Sequence, residues 1–442
     1  MGIGTTKKAS IGLFCIAIIL LLQTGRVSAD VLTLTEGLRL ATENSRLIKI
    51  SQNDERISAA DTRIEKSGFY PTVDASASGT MLAHQPGAIF GTQAVPISNK
   101  DFYSYGLSVR QMLYDFRKTA SRYESSMMRL KAREIDTFRV KNLVAIDFAL
   151  VYFDLLEAEK MVYVGEKEVE RLESHLKDAD NLYAEGVITK NDLLQAQVRL
   201  SDSRQRLLTA RMNRDVTASR LNETLVRPLT TRVEVSDIAE APPETGVVAG
   251  DLEKAWETAE KDRPEIRIAD ATVKALELDE AAKKAEYYPR LFAAGGYDYT
   301  RNEYQTPQGN WSLTLGVGIN LFSGGKTKAE LEKMDAEREK LLEQRKRLVD
   351  QVRLEVERYV LDARTARDRV AVTKDAVRQA EENLRINRVR YTEGVGTATE
   401  VLDAVTLLSV AETNHFRSVY DLAKSEIAVL YAVGKDLTEA YK

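Results

Sequence analysis

The chain has 442 residues, with 63 Lys and Arg against 67 Asp and Glu and a formal charge of −4. That balance argues against a nucleic-acid partner. One cysteine, Cys15, and three scattered histidines, His84, His175 and His415, exclude a disulfide framework and a zinc-ligand cluster, so the histidines are expected in satisfied surface or loop positions.

Lys7 and Lys8 precede an apolar run from Ile11 to Leu22, and Val27-Ser28-Ala29 supplies small residues for cleavage. This is the pattern of a secretory signal peptide over residues 1–29, its apolar run well short of the ~20 residues of a spanning helix. The mature chain is expected to begin at Asp30. Loss of three cations, Lys7, Lys8 and Arg26, takes the charge from −4 to −7, and loss of Cys15 leaves no thiol.

The segment Thr35 to Lys66 is a candidate helix. After Tyr70-Pro71 the apolar period changes to two: Val73, Ala75 and Ala77 alternate with Asp74, Ser76 and Ser78, and Tyr103, Tyr105, Leu107 and Val109 with Ser104, Gly106, Ser108 and Arg110. This predicts strands over about 72–81 and 102–113, joined by an outer loop from Leu82 to Asp101. A long helix over about 117–185 follows, with Phe148, Leu155, Val162, Val169, Leu176 and Tyr183 spaced by seven. Gly186 can take the left-handed conformation that ends it. Thr189 then caps a return helix over about 190–226, with Asp192 placed to close a capping box. Residues 228–250 read as a linker.

The chain then repeats itself. Tyr70-Pro71 recurs as Tyr288-Pro289, a shift of 218, and Tyr183-Ala184-Glu185-Gly186-Val187 recurs as Tyr391-Thr392-Glu393-Gly394-Val395, a shift of 208. The copies are expected to span 30–227 and 251–437, followed by a tail at 438–442, and the first outer loop is ten residues longer than the second, Arg301 to Asn310. The segment Asp251 to Ala285 is a candidate helix, with Pro264 in a first turn near Asp262. Strands are predicted over about 290–299 and 311–321, where Trp311, Leu313, Leu315, Val317, Ile319 and Leu321 alternate with small or polar residues. Leu315 is expected on a lipid face, and Gly316, opposite, in water and tolerant of serine. A helix over about 326–393 has no Gly or Pro between Lys326 and Tyr391 and carries apolar residues seven apart from Leu342 to Tyr391. At 1.5 Å per residue it is about 100 Å long, and its strict period of seven implies left-handed supercoiling against neighbours. Gly394, Thr397 and Glu400 repeat the earlier stop, cap and box before a return helix over about 398–433.

Ser323-Gly324-Gly325-Lys326-Thr327 falls at a strand-to-helix junction, but a phosphate-binding loop needs Gly where Asn320 stands. No nucleophile elbow, zinc spacing or dinucleotide fingerprint appears, so no catalytic, cofactor-binding or metal residue is expected. Four strands cannot close a barrel, and an open edge cannot face lipid. A membrane barrel must therefore be shared between chains. Tyr103, Tyr297, Tyr299 and Trp311 lie near strand ends, where aromatic side chains settle at the headgroup level.

The tandem copies, the two Tyr-Pro pairs, the strand exits Leu113-Tyr114-Asp115-Phe116 and Leu321-Phe322-Ser323-Gly324-Gly325, and the segment Gly394 to Ala404 resemble the TolC-type outer-membrane efflux family over essentially the whole mature chain. The resemblance implies a mixed α and β membrane protein. A homotrimer shares a 12-stranded β-barrel, continued into the periplasm by an α-barrel of helical hairpins. It implies the passive exit duct of a tripartite efflux or type I secretion system, docked on a periplasmic adaptor and an inner-membrane pump. It places Asp192, Tyr391, Glu400 and Asp403 at a periplasmic aperture and the turns at Gly186, Thr189, Gly394 and Thr397 at the docking tips. Gly396 departs from members with a basic latch residue there. The residues alone also suit a trimeric coiled-coil envelope tether or adhesin without channel activity.

Overall fold

The computed structural model describes residues 31–237 and 251–441. The expected leader and most of the expected linker lie outside the described residues. In chain order the elements are α1 (Leu34–Asn44), α2 (Arg46–Ser67), β1 (Thr72–Met81), β2 (Gly87–Phe90), β3 (Gln93–Pro96), β4 (Asp101–Tyr114), α3 (Lys118–Ala184) and α4 (Lys190–Thr224). The second half supplies α5 (Leu252–Asp262), α6 (Pro264–Lys284), β5 (Arg290–Thr300), β6 (Gly309–Gly318), α7 (Lys326–Thr392), α8 (Ala398–Ala432) and the short α9 (Leu437–Ala440).

Each of the segments before a Tyr-Pro pair is two helices rather than one. The first breaks at Ser45, whose hydroxyl accepts from the Ile48 amide at 3.4 Å. The second breaks at Arg263, with Pro264 at the first helical position, where its missing N–H costs nothing. Arg263 is buried and holds the break in place. Its guanidinium donates to Glu265 and Glu355, both at 3.0 Å, and to the Ala432 carbonyl at 3.3 Å.

The sheet order is β1-β4-β5-β6, antiparallel throughout. Registers such as Asp74↔Ser108, Ser108↔Gly296 and Gly296↔Ser312 put the small and polar residues of all four strands on one face. The other face carries Val73, Leu107, Tyr297, Leu313 and Leu315. Two details differ from expectation. The longer outer loop holds a hairpin, β2 with β3. β6 stops at Gly318 because Gly318 pairs with Arg290, where β5 begins, so Ile319 to Leu321 have no partner strand.

The two 67-residue helices α3 and α7 are the long members. α4 returns along α3, α8 packs against both α7 and α3, and the helices α2 and α6 lie along the remaining length of α3. The largest cluster surrounds Phe148, Tyr152, Phe153 and Leu156 with Leu38, Leu221, Ile427 and Leu437. Tyr152 buries its ring there and donates its hydroxyl to the Leu32 and Ser236 carbonyls at 3.0 and 2.6 Å. Fully burying each large side chain of this kind contributes about 1.5–3 kcal/mol. A second cluster joins Ala255, Ala259, Ile266, Val352, Val356 and Val360.

The clusters are related by the repeat. At the shift of 218 Gly37 corresponds to Ala255, and at the shift of 208 Phe148 corresponds to Val356. A Cβ on Gly37 would lie 2.1 Å from Phe148 Cζ. The first copy therefore fills its space with a large ring against glycine, and the second with valine against alanine. Gly37→Ala is expected to cost about 1–3 kcal/mol by overpacking, and Phe148→Val to cost stability through an unfilled cavity. The double variant is expected to be more stable than the sum of the two losses requires, because it reproduces the second copy's pair. Unfolding of the four purified proteins checks this, and strict additivity would show that the two positions do not share the space.

Candidate functional site

The free ends of the two hairpins are built alike. At the end of α3, Gly186 has φ +76°, and the Gly186 and Val187 amides donate back to the Tyr183 and Leu182 carbonyls at 3.0 and 2.8 Å. At the end of α7, Gly394 has φ +73°, and the Gly394 and Val395 amides donate to the Tyr391 and Arg390 carbonyls at 3.1 and 2.9 Å. Neither glycine has a neighbour within 4 Å of where a Cβ would stand. The backbone conformation, not the space, is what asks for glycine there.

Both return helices begin with a complete capping box. Thr189 Oγ1 accepts from the Asp192 amide at 3.3 Å while Asp192 Oδ2 accepts from the Thr189 amide at 3.1 Å. Thr397 Oγ1 accepts from the Glu400 amide at 3.3 Å while Glu400 Oε2 accepts from the Thr397 amide at 3.0 Å. The other oxygen of Glu400 lies 3.8 Å from Arg390 Nη1. Asp192 and Glu400 are thus bound into their own helix ends. Asp403, one turn beyond Glu400, is exposed and makes no ion pair among the described residues.

Tyr391 is packed rather than open. It is 2% exposed, in a cluster with Ala398, Val401, Leu182 and Ile188 that joins the two tips. Burial first, then the negative charges of Asp192 and Asp178, push its phenol above the ordinary range. At Gly396 a Cβ would press on the Tyr391 amide nitrogen at 3.0 Å and on Arg390 at 3.1 Å. A basic latch residue at that position would need the Arg390–Tyr391 turn to give by a few tenths of an ångström.

The expectation for His175 is corrected by the structure. It is only 3% exposed, and its ring lies 5.0 Å from that of Tyr391. The signal was present in the spacing: Leu172, His175 and Ala179 follow a three-then-four pattern that lies on the buried stripe of α3. Arg388 of α7 reaches across to Ser174 at 2.5 Å and to Asp178 at 3.3 Å, closing the same contact between hairpins. His84 is exposed, and His415 is half-buried beside Thr373.

At the opposite end the sheet has two unlike faces. Asp74, Ser108, Arg110, Asp298, Ser312 and Thr314 line one shallow polar concavity. On the other face Trp311, Leu313, Leu315 and Val317 are 69–80% exposed in the single chain. A Cβ at Gly316 would lie 2.4 Å from the Phe292 ring tip across the ladder, so this position is covered by an aromatic ring rather than by water. Among the described residues no helix is long and apolar enough to cross a membrane, and no group of His, Cys, Asp and Glu is arranged to hold a metal ion.

The chain is 22% identical over 409 residues to the solvent efflux pump outer membrane protein SrpC of Pseudomonas putida, covering 90% of this chain and 84% of the relative. It is 24% identical over 399 residues to nodulation protein T of Rhizobium leguminosarum bv. viciae, covering 87% and 79%. The outer membrane protein VceC of Vibrio cholerae superposes with a TM-score of 0.79 at 16% identity, covering 91% of this chain and 96% of that one. Residues 37–225 and 256–435 match the sequence profile of outer membrane efflux proteins. The chain belongs to the outer membrane efflux protein family.

Proposed function

We propose that the protein is the outer-membrane exit duct of a tripartite efflux or type I secretion system, a passive conduit without catalytic chemistry of its own. The observation that carries this reading is a four-stranded sheet, polar on one face and apolar on the other, standing on helices of 67 residues with an open edge at each side. Three such sheets, edge to edge, close 12 strands with their polar faces inward, and every backbone group at membrane depth then has a partner. Each 67-residue helix is about 100 Å long, enough to carry the duct deep into the periplasm. The tips at Gly186, Thr189, Gly394 and Thr397 are then the surfaces offered to a periplasmic adaptor and, through it, an inner-membrane pump. Conductance of the purified trimer in planar bilayers tests the reading. A well-assembled trimer that forms no conducting path would leave a structural tether.

The face assignment has its own test. Leu315→Arg puts a charge on the lipid side at a cost of about 2–4 kcal/mol per chain near the midplane, so outer-membrane assembly is expected to fall. Thr314→Ser, on the polar side, is expected to assemble normally. Gly316→Ser is expected to assemble poorly, since the Phe292 ring occupies the space its side chain needs. Heat-resistant trimer in outer-membrane fractions measures all three.

Gly394→Val is expected to weaken adaptor crosslinking while leaving the barrel intact. A β-branched residue at φ +73° costs about 1–3 kcal/mol, and the strain lies at the tip alone. Crosslinking at the wild-type level would place docking elsewhere on the helices.

Asp192, Tyr391, Glu400 and Asp403 form the proposed aperture set, and their parts differ. Asp192 and Glu400 hold the hairpin turns, Tyr391 packs the two tips together, and Asp403 supplies the free charge. A threefold ring of Asp403 attracts cations at the entrance. Asp403→Asn is expected to lower cation selectivity and block by multivalent cations without loss of trimer. Glu400→Gln is expected to lower them less and to cost about 0.5–2 kcal/mol of tip stability through the weakened cap. Single-channel reversal potentials across a salt gradient decide, and an Asp403→Asn channel as selective as the wild type removes the ring.

A further inference from the structure

We propose that His175 and Tyr391 form a proton-operated contact between the two hairpins, which holds the tip closed while the imidazole is neutral and releases it when the imidazole is protonated. The proposal rests on the conduit reading and adds a control to it. Among the described residues, His175 Nε2 and the Tyr391 hydroxyl are both buried without a hydrogen-bond partner, on side chains 3% and 2% exposed whose rings are 5.0 Å apart. Buried polar atoms are almost always paired. Two orphans side by side, one on each hairpin, mark a contact that is not optimised for permanence.

The surroundings set the direction. On its own helix His175 faces Asp178, but Arg388 of α7 already engages that carboxylate at 3.3 Å and brings its own positive charge to the same place. On α4, Asp192, whose charge acts on Tyr391, is committed to the cap of Thr189. From α8 the neighbouring cluster is apolar, Leu402 and Val405 with Leu172, while Glu400 is bound to Thr397 and Arg390, and Asp403 faces solvent. Among the described residues the charges that act on an imidazolium here are therefore Asp178, already shared with Arg388, and Arg388 itself, and burial is the main force against the charged form.

Burial, opposed in part by Asp178 and reinforced by Arg388, lowers the proton affinity of His175 in the packed tip. In an opened tip the ring returns to water and to the ordinary value of ~6.5. The closed contact is thus at full strength above that value, and weakens as pH falls below it toward the lower value of the packed ring. The repeat makes the device one-sided. The position 208 residues after His175 is Asn383, which does not titrate, and the counterpart of Tyr391 is Tyr183, which is exposed.

The test uses the full trimer in planar bilayers, with pH varied on the helical side from about 7.5 to about 5. Open-channel probability is expected to rise on acidification, about tenfold for each unit by which the packed and open proton affinities differ. His175→Gln is expected to flatten the response, and Tyr391→Phe to retain one, because the proton binds the imidazole. A His175→Gln channel with the wild-type pH profile overturns the proposal. Spin labels at Val187→Cys and Val395→Cys, on the two exposed tips, give a second reading in protein that keeps His175. Their separation is expected to widen on acidification, and an unchanged separation overturns the proposal even if His175→Gln does not assemble. A trimer that conducts without pH dependence removes only the switch, whereas one that conducts at no pH removes the conduit as well.

Discussion

A strand in lipid must have both of its backbone edges paired, and β1 and β6 each leave one edge open in the single chain. The rest of the architecture follows from that requirement. Closing the edges with copies of the same chain makes the barrel symmetric and turns the polar residues of four strands toward one axis. The strand exits at Asp115 and Ser323 then deliver α3 and α7 around the same axis. Supercoiling driven by the period of seven wraps those helices into a tube rather than letting them splay.

Within the chain, the two copies keep equivalent caps and breaks while using different residues to make them. Thr33 and Asp251 cap the equivalent helices α1 and α5, and Ser45 and Arg263 stand at equivalent breaks. The pairs Gly37 with Phe148 and Ala255 with Val356 fill equivalent spaces by different divisions of size. The ends of the return helices diverge further. Gly434 has φ +80°, and a Cβ there would meet the Asp262 carbonyl carbon at 2.8 Å, while its counterpart Val226 holds φ +55° despite its branched side chain. A β-branched residue in that conformation stores strain of about 1–3 kcal/mol, held by the packing of Leu221 and Leu225 in the main core.

The tips combine rigid and weak elements within a few residues. Capping boxes and left-handed glycines fix the shape of each hairpin end. Between the two ends the contact is a small apolar cluster, the Arg388 bridge and a histidine and tyrosine with unpaired atoms. A joint of that composition is weaker than the hairpin ends it connects, which is the mechanical property the proposed entrance requires.

The sequence by itself determined the features that depend on neighbours along the chain. Helix length follows from the absence of Gly and Pro after Lys326, the supercoil from spacing by seven, and the turns from Gly186, Gly394 and their caps. The strand faces follow from alternation, since a side chain's face is set by its parity. Tertiary structure decided what depends on residues far apart. The break at Arg263 is held by Glu355 and the Ala432 carbonyl, the end of β6 by the start of β5, and the cover over Gly316 by Phe292 on another strand. The burial of His175 belongs with these. Spacing places it on a stripe, but only the arrival of α7, more than 200 residues later, puts Tyr391 and Arg388 against it and turns a scattered histidine into part of the joint.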